Sequence, residues 1–459
     1  MDQSPKKYVI TYSNHTSAKE VLSDVLHIST SSIEDGISVM ASERSITEAD
    51  VLHFDNLDVS VATLTDEQKV ELEQRGDVLE VVEDFEMYAL DMPETDGAAP
   101  ILDSETILGL LPQSKDQMSG DQMYMLGFKA GQKAAQDSLA EKIRAFLELP
   151  NLQPGDVKDK FQPEQPVPAQ AVAQPIPWHI QMVKAPAAWR RGITGFGIKV
   201  AVLDTGIANH TDLIVSGGAS FISGVASFND DNGHGTHCAG IIGARNNTVG
   251  VVGVAPRCSL FAVKVLNAAG SGPFSGIVAG LGWALANKMD VVSMSLGAVM
   301  PCQNAPAALV TAINRLRAAG CTVVAAAGNS FLDPNPQNRL VNVPGSIPGV
   351  IAVAAVDQSG QVATFSSRGG ACNPVTLSAP GVSINSTFHS PANSYRVLSG
   401  TSMACPAVAG AVALIKQRFP AFTPSQIRTK LVSTTSDLGV PGNDPVYGSG
   451  LLNCDAATL

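Results

Sequence analysis

The chain has 459 residues, of which 45% are hydrophobic and 16% charged, and its net charge is −12. This length predicts two or three domains, and the apolar content is sufficient for a large buried core. No apolar run approaches the roughly 18 residues that a membrane span needs, so we expect no membrane partner. The N-terminus, MDQSPKKYVITYS, lacks the apolar core of a secretory signal. Either an export segment has been removed, or the protein stays inside the cell.

The charge is divided unevenly along the chain. Residues 1–171 contain 13 Lys and Arg against 32 Asp and Glu, a net charge of −19, whereas residues 172–459 carry +7 and contain no Glu. This division predicts two parts that attract and orient each other, although the acidic part could also be merely well solvated. The basic residues are few and scattered, so we expect no nucleic-acid partner.

The cysteines leave the redox compartment open. None of the seven forms a CxxC pair, so a zinc site is not expected. Their number is odd, so at least one thiol is free. They are Cys238, Cys258, Cys302, Cys321, Cys372, Cys405 and Cys454.

Residues 7–90 are predicted to form a small α+β unit of order βαββαβ. The expected strands are KYVITYS, GISVMA, LDVSVATL and DVLEVVEDFEMYAL. The expected helices are SAKEVLSDVL and DEQKVELEQRG, the second of which begins with a capping box from Thr65 to Gln68 and ends at Gly76.

Residues 91–170 are predicted to be a linker with one helical segment. Pro-rich stretches flank the segment DQMYMLGFKAGQKAAQDSLAEKIRAFLEL, which has helical spacing and ends at Pro150. This segment could be a helical hairpin or a loosely attached arm.

Residues 171–459 are predicted to form a doubly wound α/β domain with a mostly parallel sheet. Continuous apolar strands alternate with helices, as is typical of parallel sheets that are buried on both faces. The strands are IKVAVLD, SLFAVKVL, DVVSMSL, TVVAAAGN and VIAVAAV. In such a fold the ligand site lies beyond the carboxyl ends of the strands.

Four chemically active residues stand at element boundaries in this part of the chain: Asp204, His234, Asn329 and Ser402. An acyl-enzyme hydrolase needs a hydroxyl nucleophile, an imidazole base, a carboxylate that orients the base, and donors for the oxyanion. Each residue also has a plainer interpretation: a helix cap for Asp204 or Ser402, a turn residue for His234, a left-handed turn for Asn329. A metal pair of His234 with His237 lacks the HExxH pattern. Together the four favour hydrolytic chemistry.

The C-terminal part resembles the subtilisin-like serine proteases. The matching blocks are AVLDTGI, HGTHCAG, MSLG, AAAGN and GTSMACP, and the agreement covers roughly residues 174–455. Their Asp, His, Ser order is that of subtilisin itself. The resemblance implies that Ser402 is the nucleophile and that His234 acts as general base and then general acid, oriented by Asp204. It further implies that Asn329 stabilises the oxyanion together with the Ser402 backbone N–H.

The same resemblance implies that a substrate binds as an added strand. The expected pairing segments are Gly270, Ser271, Gly272 and Pro273 on one side and Ser295, Leu296 and Gly297 on the other. One wall of the first specificity pocket would be Ala326, Ala327 and Gly328, with an apolar P1 side chain preferred. The chain departs from the family at Asn342, where Gly is frequent near the pocket floor, which leaves the P1 size open. The thiols of Cys238 and Cys405 could make the site sensitive to thiol reagents.

The stretch ARNNTVGV resembles the calcium loop of this family. The implied structural calcium site has only oxygen ligands, of which one is charged. The ligands would be Gln174, Asp212, Arg245, Asn247, Val249 and Val251. The alternative is an ordinary Asn-Asn turn.

Residues 1–90 resemble the propeptide of the same family, chiefly in VATLTDEQKVELEQRGDVLEVVEDFEMYAL. The resemblance implies that this part helps folding and then inhibits the protease, with EMYAL in the substrate cleft and cleavage after about Leu90. Residues 91–170 depart from the simple pattern, and a second cut near PAQAVAQ is an alternative.

We therefore predict a calcium-binding, self-processing and secreted serine endopeptidase of broad specificity, acting on proteins and peptides. The alternatives are a catalytically silent binding scaffold with the same fold and an intracellular processing protease.

Overall fold

The computed structural model describes residues 5–13, 18–90, 174–370 and 374–459. The predicted linker over 91–170, its helical segment and Cys372 lie outside the described residues. Among the described helices, none has both the length and the apolar character that a membrane crossing requires.

The N-terminal part, residues 5–90, is built on a five-stranded sheet of order β2-β3-β4-β1-β5. Its strands are β1 Lys6–Tyr12, β2 Glu34–Asp35, β3 Leu52–Phe54, β4 Val59–Leu64 and β5 Val78–Glu83. Its helices are α1 Ala18–Leu26, α2 Gly36–Met40 and α3 Asp66–Glu73. The predicted capping box is present, since Thr65 accepts from the Gln68 backbone and the Gln68 side chain accepts from Thr65.

Two local predictions in this part were wrong. GISVMA is helix α2, because the Asp35 side chain accepts from Ser38 N at its N-terminus, and the strand in that region is Leu52–Phe54. DVLEVVEDFEMYAL is not one strand but two, β5 and β6 (Glu86–Ala89). β6 leaves the sheet and, followed by Leu90, forms what we call the tail strand.

The C-terminal part, residues 174–459, confirms the doubly wound α/β prediction. Its large sheet has seven strands, all parallel, in the order β15-β14-β13-β11-β7-β9-β8. They are β7 Lys199–Asp204, β8 Val215–Ser220, β9 Ser259–Lys264, β11 Val291–Met294, β13 Thr322–Ala326, β14 Ile351–Val356 and β15 Leu377–Pro380. The edge strands β8 and β15 were not predicted, because VSGGAS and LSAP are not continuous apolar runs.

Helices cover both faces of this sheet. Val200 and Val202 of β7 belong to the core under the helix that begins at His234, whereas Ala201 and Leu203 belong to the core under the helix that begins at Phe274. The helices are α4 Trp178–Met182, α5 Ala185–Arg190, α6 His234–Gly243, α7 Phe274–Ala286, α8 Ala307–Ala318, α9 Thr401–Arg418, α10 Pro424–Ser433 and α11 Cys454–Ala457. Four short strands lie outside the large sheet: β10 Ser271–Pro273, β12 Leu296–Gly297, β16 Ile384–Phe388 and β17 Ser394–Leu398.

The N-terminal part places carboxylates at the N-termini of α7 and α8. Asp84 accepts hydrogen bonds from Ser275 N at 2.8 Å and from its Oγ at 2.6 Å. Glu80 Oε2 accepts from Ala307 N at 2.5 Å. Unpaired backbone N–H groups and the helix dipole both favour negative charge at these ends. Acidic residues of one part thus cap helices of the other.

Candidate active site

The four candidate catalytic residues lie at or next to the ends of strands and helices of the large domain. Asp204 is the last residue of β7, His234 is the first residue of α6, and Ser402 is the second residue of α9. Asn329 follows β13, which ends at Ala326. The carboxyl ends of parallel strands lie at one edge of a sheet, so residues far apart in sequence meet there.

Asp204 and His234 form a buried pair. His234 Nδ1 lies 2.7 Å from Asp204 Oδ1, and the two side chains are 0% and 1% exposed, respectively, for the aspartate and the histidine. The same carboxylate oxygen accepts from Thr205 N at 2.7 Å. With its proton on Nδ1, the imidazole is held in the tautomer that leaves Nε2 basic.

Ser402 does not cap its helix. Gly400 is the N-cap of α9, and no side-chain cap hydrogen bond is present there. The Ser402 hydroxyl oxygen instead lies 3.1 Å from Ser295 O and within hydrogen-bonding contact of the carbonyl oxygen of Leu90. The cap interpretation of this serine is therefore not supported.

The Leu90 carbonyl oxygen is surrounded by donors. It accepts from Asn329 Nδ2 at 2.8 Å and from Ser402 N at 3.3 Å. Asn329 Oδ1 accepts from Thr401 N at 3.0 Å and from Thr401 Oγ1 at 2.9 Å. These two bonds assign the amide oxygen and direct the amide nitrogen toward Leu90. Asn329 is also not in a left-handed conformation.

The tail strand lies between the two segments predicted to bind substrate. β6 pairs antiparallel with β10 and with β12, forming a three-stranded sheet. Ala89 N donates to Gly270 O at 2.9 Å, and Leu90 N donates to Ser295 O at 3.1 Å. The cleft thus binds an extended chain through its backbone, the mode of β-strand addition.

The Leu90 side chain lies against Gly297 of β12. A Cβ placed on Gly297 would lie 3.1 Å from Leu90 Cδ1. Ala326 and Ala327 are fully buried, and Asn342 N donates to Ala327 O at 2.8 Å. Asn342 therefore lies next to the predicted pocket wall.

A polar network next to the Asp204–His234 pair was not predicted from the sequence. Asp230, 2% exposed, accepts from Thr205 Oγ1 at 2.8 Å, from Gly233 N at 2.8 Å and from Thr236 N at 2.9 Å. Thr205 Oγ1 in turn accepts from Gly235 N at 2.9 Å. The network ties the end of β7 to the first turn of α6. Asp230 belongs to the stretch DDNGHGTH. Its position only four residues before His234 is the sequence feature that could have pointed to it.

Lys264 supplies a buried positive charge beside this network. It is fully buried, and its ammonium group donates to Thr205 O at 2.6 Å, to Leu266 O at 2.9 Å and to Asp231 Oδ1 at 2.7 Å. Three bonds satisfy all three ammonium protons.

His237 and the two nearby thiols have packing roles. His237 Nε2 lies 3.0 Å from Ile384 O and 2.9 Å from Arg396 O, so this nitrogen donates to backbone rather than binding a metal. Cys238 and Cys405 are both fully buried. Burial raises the pKa of Cys405 to about 12, which disfavours the reactive thiolate.

The residues predicted to bind calcium lie together. Gln174 Nε2 is 2.5 Å from Val249 O and 2.6 Å from Val251 O, and Gln174 Oε1 accepts from Asn247 N at 2.8 Å. Asp212 Oδ1 accepts from Asn247 Nδ2 at 2.9 Å. Arg245 N donates to the backbone oxygen of Asp212 at 2.9 Å. Burial raises the pKa of Asp212.

This donor set suits calcium. It combines one carboxylate, side-chain amide oxygens and backbone carbonyls, all of them hard oxygen ligands. The Gln174 amide is placed between two carbonyl oxygens, and turning its terminal group would present a third oxygen to the same point.

A doubly wound parallel sheet that carries Asp, His and Ser at one edge defines the class of subtilisin-like serine endopeptidases. Comparison with known proteins agrees with this class, because the model of the subtilase family matches residues 195–450. The chain belongs to the subtilase family.

Several proteases of the same family are similar to this chain in sequence. The thermostable alkaline protease of Halalkalibacterium halodurans is 47% identical over 287 residues, which are 62% of this chain and 74% of the relative. Subtilisin Savinase of Lederbergia lenta is 49% identical over 286 residues, 62% of this chain and all of the relative. Alkaline elastase YaB of Bacillus sp. is 47% identical over 285 residues, 62% and 71% of the two chains. The prediction of a serine protease is confirmed.

Proposed function

We propose that this protease acts through an acyl-enzyme on Ser402. His234 removes the hydroxyl proton as Ser402 attacks the substrate carbonyl, and it then passes that proton to the leaving amine. Asp204 holds the imidazole in the required tautomer and stabilises the imidazolium. The 2.7 Å contact between Asp204 and His234 supports these roles.

We propose that Asn329 and the Ser402 backbone N–H form the oxyanion hole. The observation that carries this proposal is the convergence of both donors on the carbonyl oxygen of Leu90. Donors aimed at the oxygen where charge develops stabilise the transition state more than the ground state. Leu90 then occupies the P1 position, and its side chain supports an apolar P1 preference.

We propose that residues 1–90 are a propeptide that inhibits the enzyme until it is cut after Leu90. The tail strand fills the cleft, and the bond that follows Leu90 is the one presented to Ser402. Contacts outside the cleft strengthen this association. Arg315 on α8 donates to Asn56 O at 2.7 Å and forms an ion pair with Asp58. A second cut near PAQAVAQ is the alternative.

We propose that calcium binds at Gln174, Asp212, Arg245, Asn247, Val249 and Val251. The ion would neutralise the single carboxylate and cross-link the loop after α6 to the chain near residue 174. Its contribution is structural, since the proposed ligands include none of the four catalytic residues.

We propose that the protein is secreted. Cys302 is in a disulfide, a bond that persists in oxidising compartments. Buried cysteines outside any disulfide, such as Cys258, Cys321 and Cys454, are by contrast compatible with an intracellular protease. Locating the active enzyme in cell and medium fractions distinguishes the two.

The experiment that tests the catalytic proposal compares the full chain with its Ser402→Ala form. The unmodified chain should shorten itself and react with a fluorophosphonate probe, whereas Ser402→Ala should stay at full length and unlabelled. Ser399→Ala is the matched control, because Ser399 is a neighbouring serine whose Oγ accepts from Ser383 N at 2.9 Å. A full-length, unlabelled product from the unmodified chain would instead favour the silent scaffold.

A further inference from the structure

Lys264, the last residue of β9, is a buried charged residue that the proposed mechanism does not use. A lysine is almost never fully buried unless its charge is paired. Replacing a buried charged pair by apolar side chains of similar volume is often neutral for stability, so stability alone explains such a lysine poorly. Its three hydrogen bonds offer a better explanation, because they join segments that carry or precede catalytic residues.

The first hydrogen bond holds the end of the strand that carries Asp204. Lys264 Nζ donates to Thr205 O at 2.6 Å, and Thr205 directly follows Asp204 in the chain. Lys264 is also the register partner of Asp204 in the pairing of β7 with β9. The Asp204 carbonyl oxygen accepts from Val265 N at 2.9 Å and from Leu266 N at 3.1 Å. The main chain at Asp204 is therefore held by β9 and by the residues that follow it.

The second hydrogen bond reaches the segment that leads into His234. Lys264 Nζ lies 2.7 Å from Asp231 Oδ1, and Asp231 stands three residues before His234. The Asp231 side chain is 48% exposed, whereas the lysine side chain is 1% exposed. Gly233, between Asp231 and His234, is the N-cap of α6. The ion pair thus connects a buried strand end to the start of the helix that carries the catalytic imidazole.

The third hydrogen bond holds the chain between β9 and β10, one of the two strands that the tail strand pairs with. Lys264 Nζ donates to Leu266 O at 2.9 Å. Gly272 of β10 lies against the same segment, since a Cβ placed on Gly272 would lie 2.0 Å from Val265 O. One ammonium group, with three donors, therefore joins the segment after Asp204, the segment before His234 and the approach to the cleft.

We propose that Lys264 is a positioning residue for the catalytic reaction, whose ammonium group sets the placement of Asp204 relative to His234 by joining Thr205 O to Asp231. An apolar side chain of similar size fills the same space but cannot join a carbonyl oxygen to a carboxylate. This inference rests on the proposed function, in which Asp204 orients His234. It deepens that function by naming the group that holds the two catalytic segments together.

The test breaks the contact at Asp231, because that side chain is half-exposed and its removal opens no cavity in the core. In Asp231→Ala, kcat for one peptide substrate should fall by about tenfold, since small displacements of catalytic groups have effects of this size. KM should stay nearly unchanged, as should the Tm measured in the Ser402→Ala background. Asp231→Asn keeps an oxygen that accepts from the ammonium group and should recover most of kcat.

The low-field NMR resonance of the His234 Nδ1 proton supplies a second readout, which a purely structural role of Asp231 would not move. It should shift in Asp231→Ala and stay in place in Asp231→Asn. An unchanged kcat or an unmoved resonance in Asp231→Ala would overturn the proposal, and so would a loss of kcat that Asp231→Asn shares in full.

Variants of the lysine complete the test. Lys264→Met should also lower kcat, and adding Asp231→Ala to it should cause no further loss, because the contact is already broken; losses that multiply in the double variant would contradict the proposal. Lys199→Met is the matched control, since Lys199 is the first residue of β7 and its ammonium group donates to Asn287 O at 3.3 Å. Its kcat should equal that of the unmodified enzyme. An unmodified chain that does not react with the fluorophosphonate probe would instead contradict the proposed function itself.

Discussion

The side chain of Asn329 donates a 2.8 Å hydrogen bond to the carbonyl oxygen of Leu90, a residue 239 positions earlier in the chain. Thr401 holds the other end of the amide through two bonds to Asn329 Oδ1. Thr401 is also the first residue of the helix that carries Ser402. One helix start therefore positions both the hydroxyl and the amide donor at the same carbonyl group.

Removing the amide donor should lower turnover and leave binding nearly unchanged. We expect Asn329→Ala to lose about 100- to 1,000-fold in kcat, a size known from subtilisin itself rather than derived from this structure. KM should stay within a small factor, since the donor acts mainly on the charge of the transition state. Steady-state kinetics on one peptide substrate measure this split. Asn338→Ala, whose amide contacts Asp333 at 3.2 Å, is the control and should behave as the unmodified enzyme.

Removing the Thr205 hydroxyl should disturb the Asp204–His234 pair, although this hydroxyl bonds to neither residue of the pair. Thr205→Val keeps the shape of the side chain but removes the bonds to Asp230 and to Gly235 N. We expect kcat to fall by about 10- to 100-fold, because small displacements of catalytic groups have effects of this size. Thr205→Ser retains the hydroxyl and should recover most of the activity.

A spectroscopic measurement separates positioning from general damage in this pair of variants. The low-field NMR resonance of the His234 Nδ1 proton should move in Thr205→Val and stay in place in Thr205→Ser. Identical spectra and kinetics for Val and Ser would show that Thr205 only fills space.

Two buried histidines should make the C-terminal part sensitive to acid. Burial lowers the pKa of His179 and of His237 to about 3, from the ordinary value of 6.5. Both are neutral in the folded state, whereas the unfolded chain takes up protons below about pH 6.5. The free energy of unfolding should therefore fall progressively between about pH 6.5 and pH 3, by several kcal/mol in total.

Thermal unfolding of the Ser402→Ala form across this pH range measures the effect without self-digestion. His179→Gln should flatten the dependence of Tm on pH. His27→Asn, a change at an exposed histidine, should leave the slope as it is. An unchanged slope in His179→Gln would contradict the assignment.

Chelation should destabilise the protein if the proposed calcium site is filled in solution. A ligand held at one hundred times its Kd stabilises the folded state by about 2.7 kcal/mol, which a chelator removes. We expect the Tm of Ser402→Ala to fall on addition of EGTA and to return with calcium. Asp212→Asn should lower the Tm and abolish this response. Asp437→Asn, at an exposed position, should respond as the parent does.

The central strands could be predicted because their sequences are continuous apolar runs, as burial on both faces requires. The edge strands β8 and β15 were not predicted, because an edge strand needs less apolar surface than a central one. GISVMA was assigned as a strand because six residues are too few to separate the strand period from the helix period. Its helix depends on the Asp35 cap and on the close approach of Gly36 to Phe54, since a Cβ placed on Gly36 would lie 2.5 to 2.8 Å from the Phe54 ring. The boundaries at residues 90 and 170 stay predictions.

The sequence by itself determined the alternation of central strands and helices in the large domain, and it indicated which residue types stand at the strand ends. These are local properties, set by hydrophobic periodicity and helix-start signals within a few residues. Only the tertiary structure decided that the tail strand pairs with β10 and β12, that Asp230 accepts from Thr205, and that Lys264 joins the Thr205 carbonyl oxygen to Asp231. Such relationships join positions far apart in the chain, and they depend on how the packed elements bring backbone and side chains together.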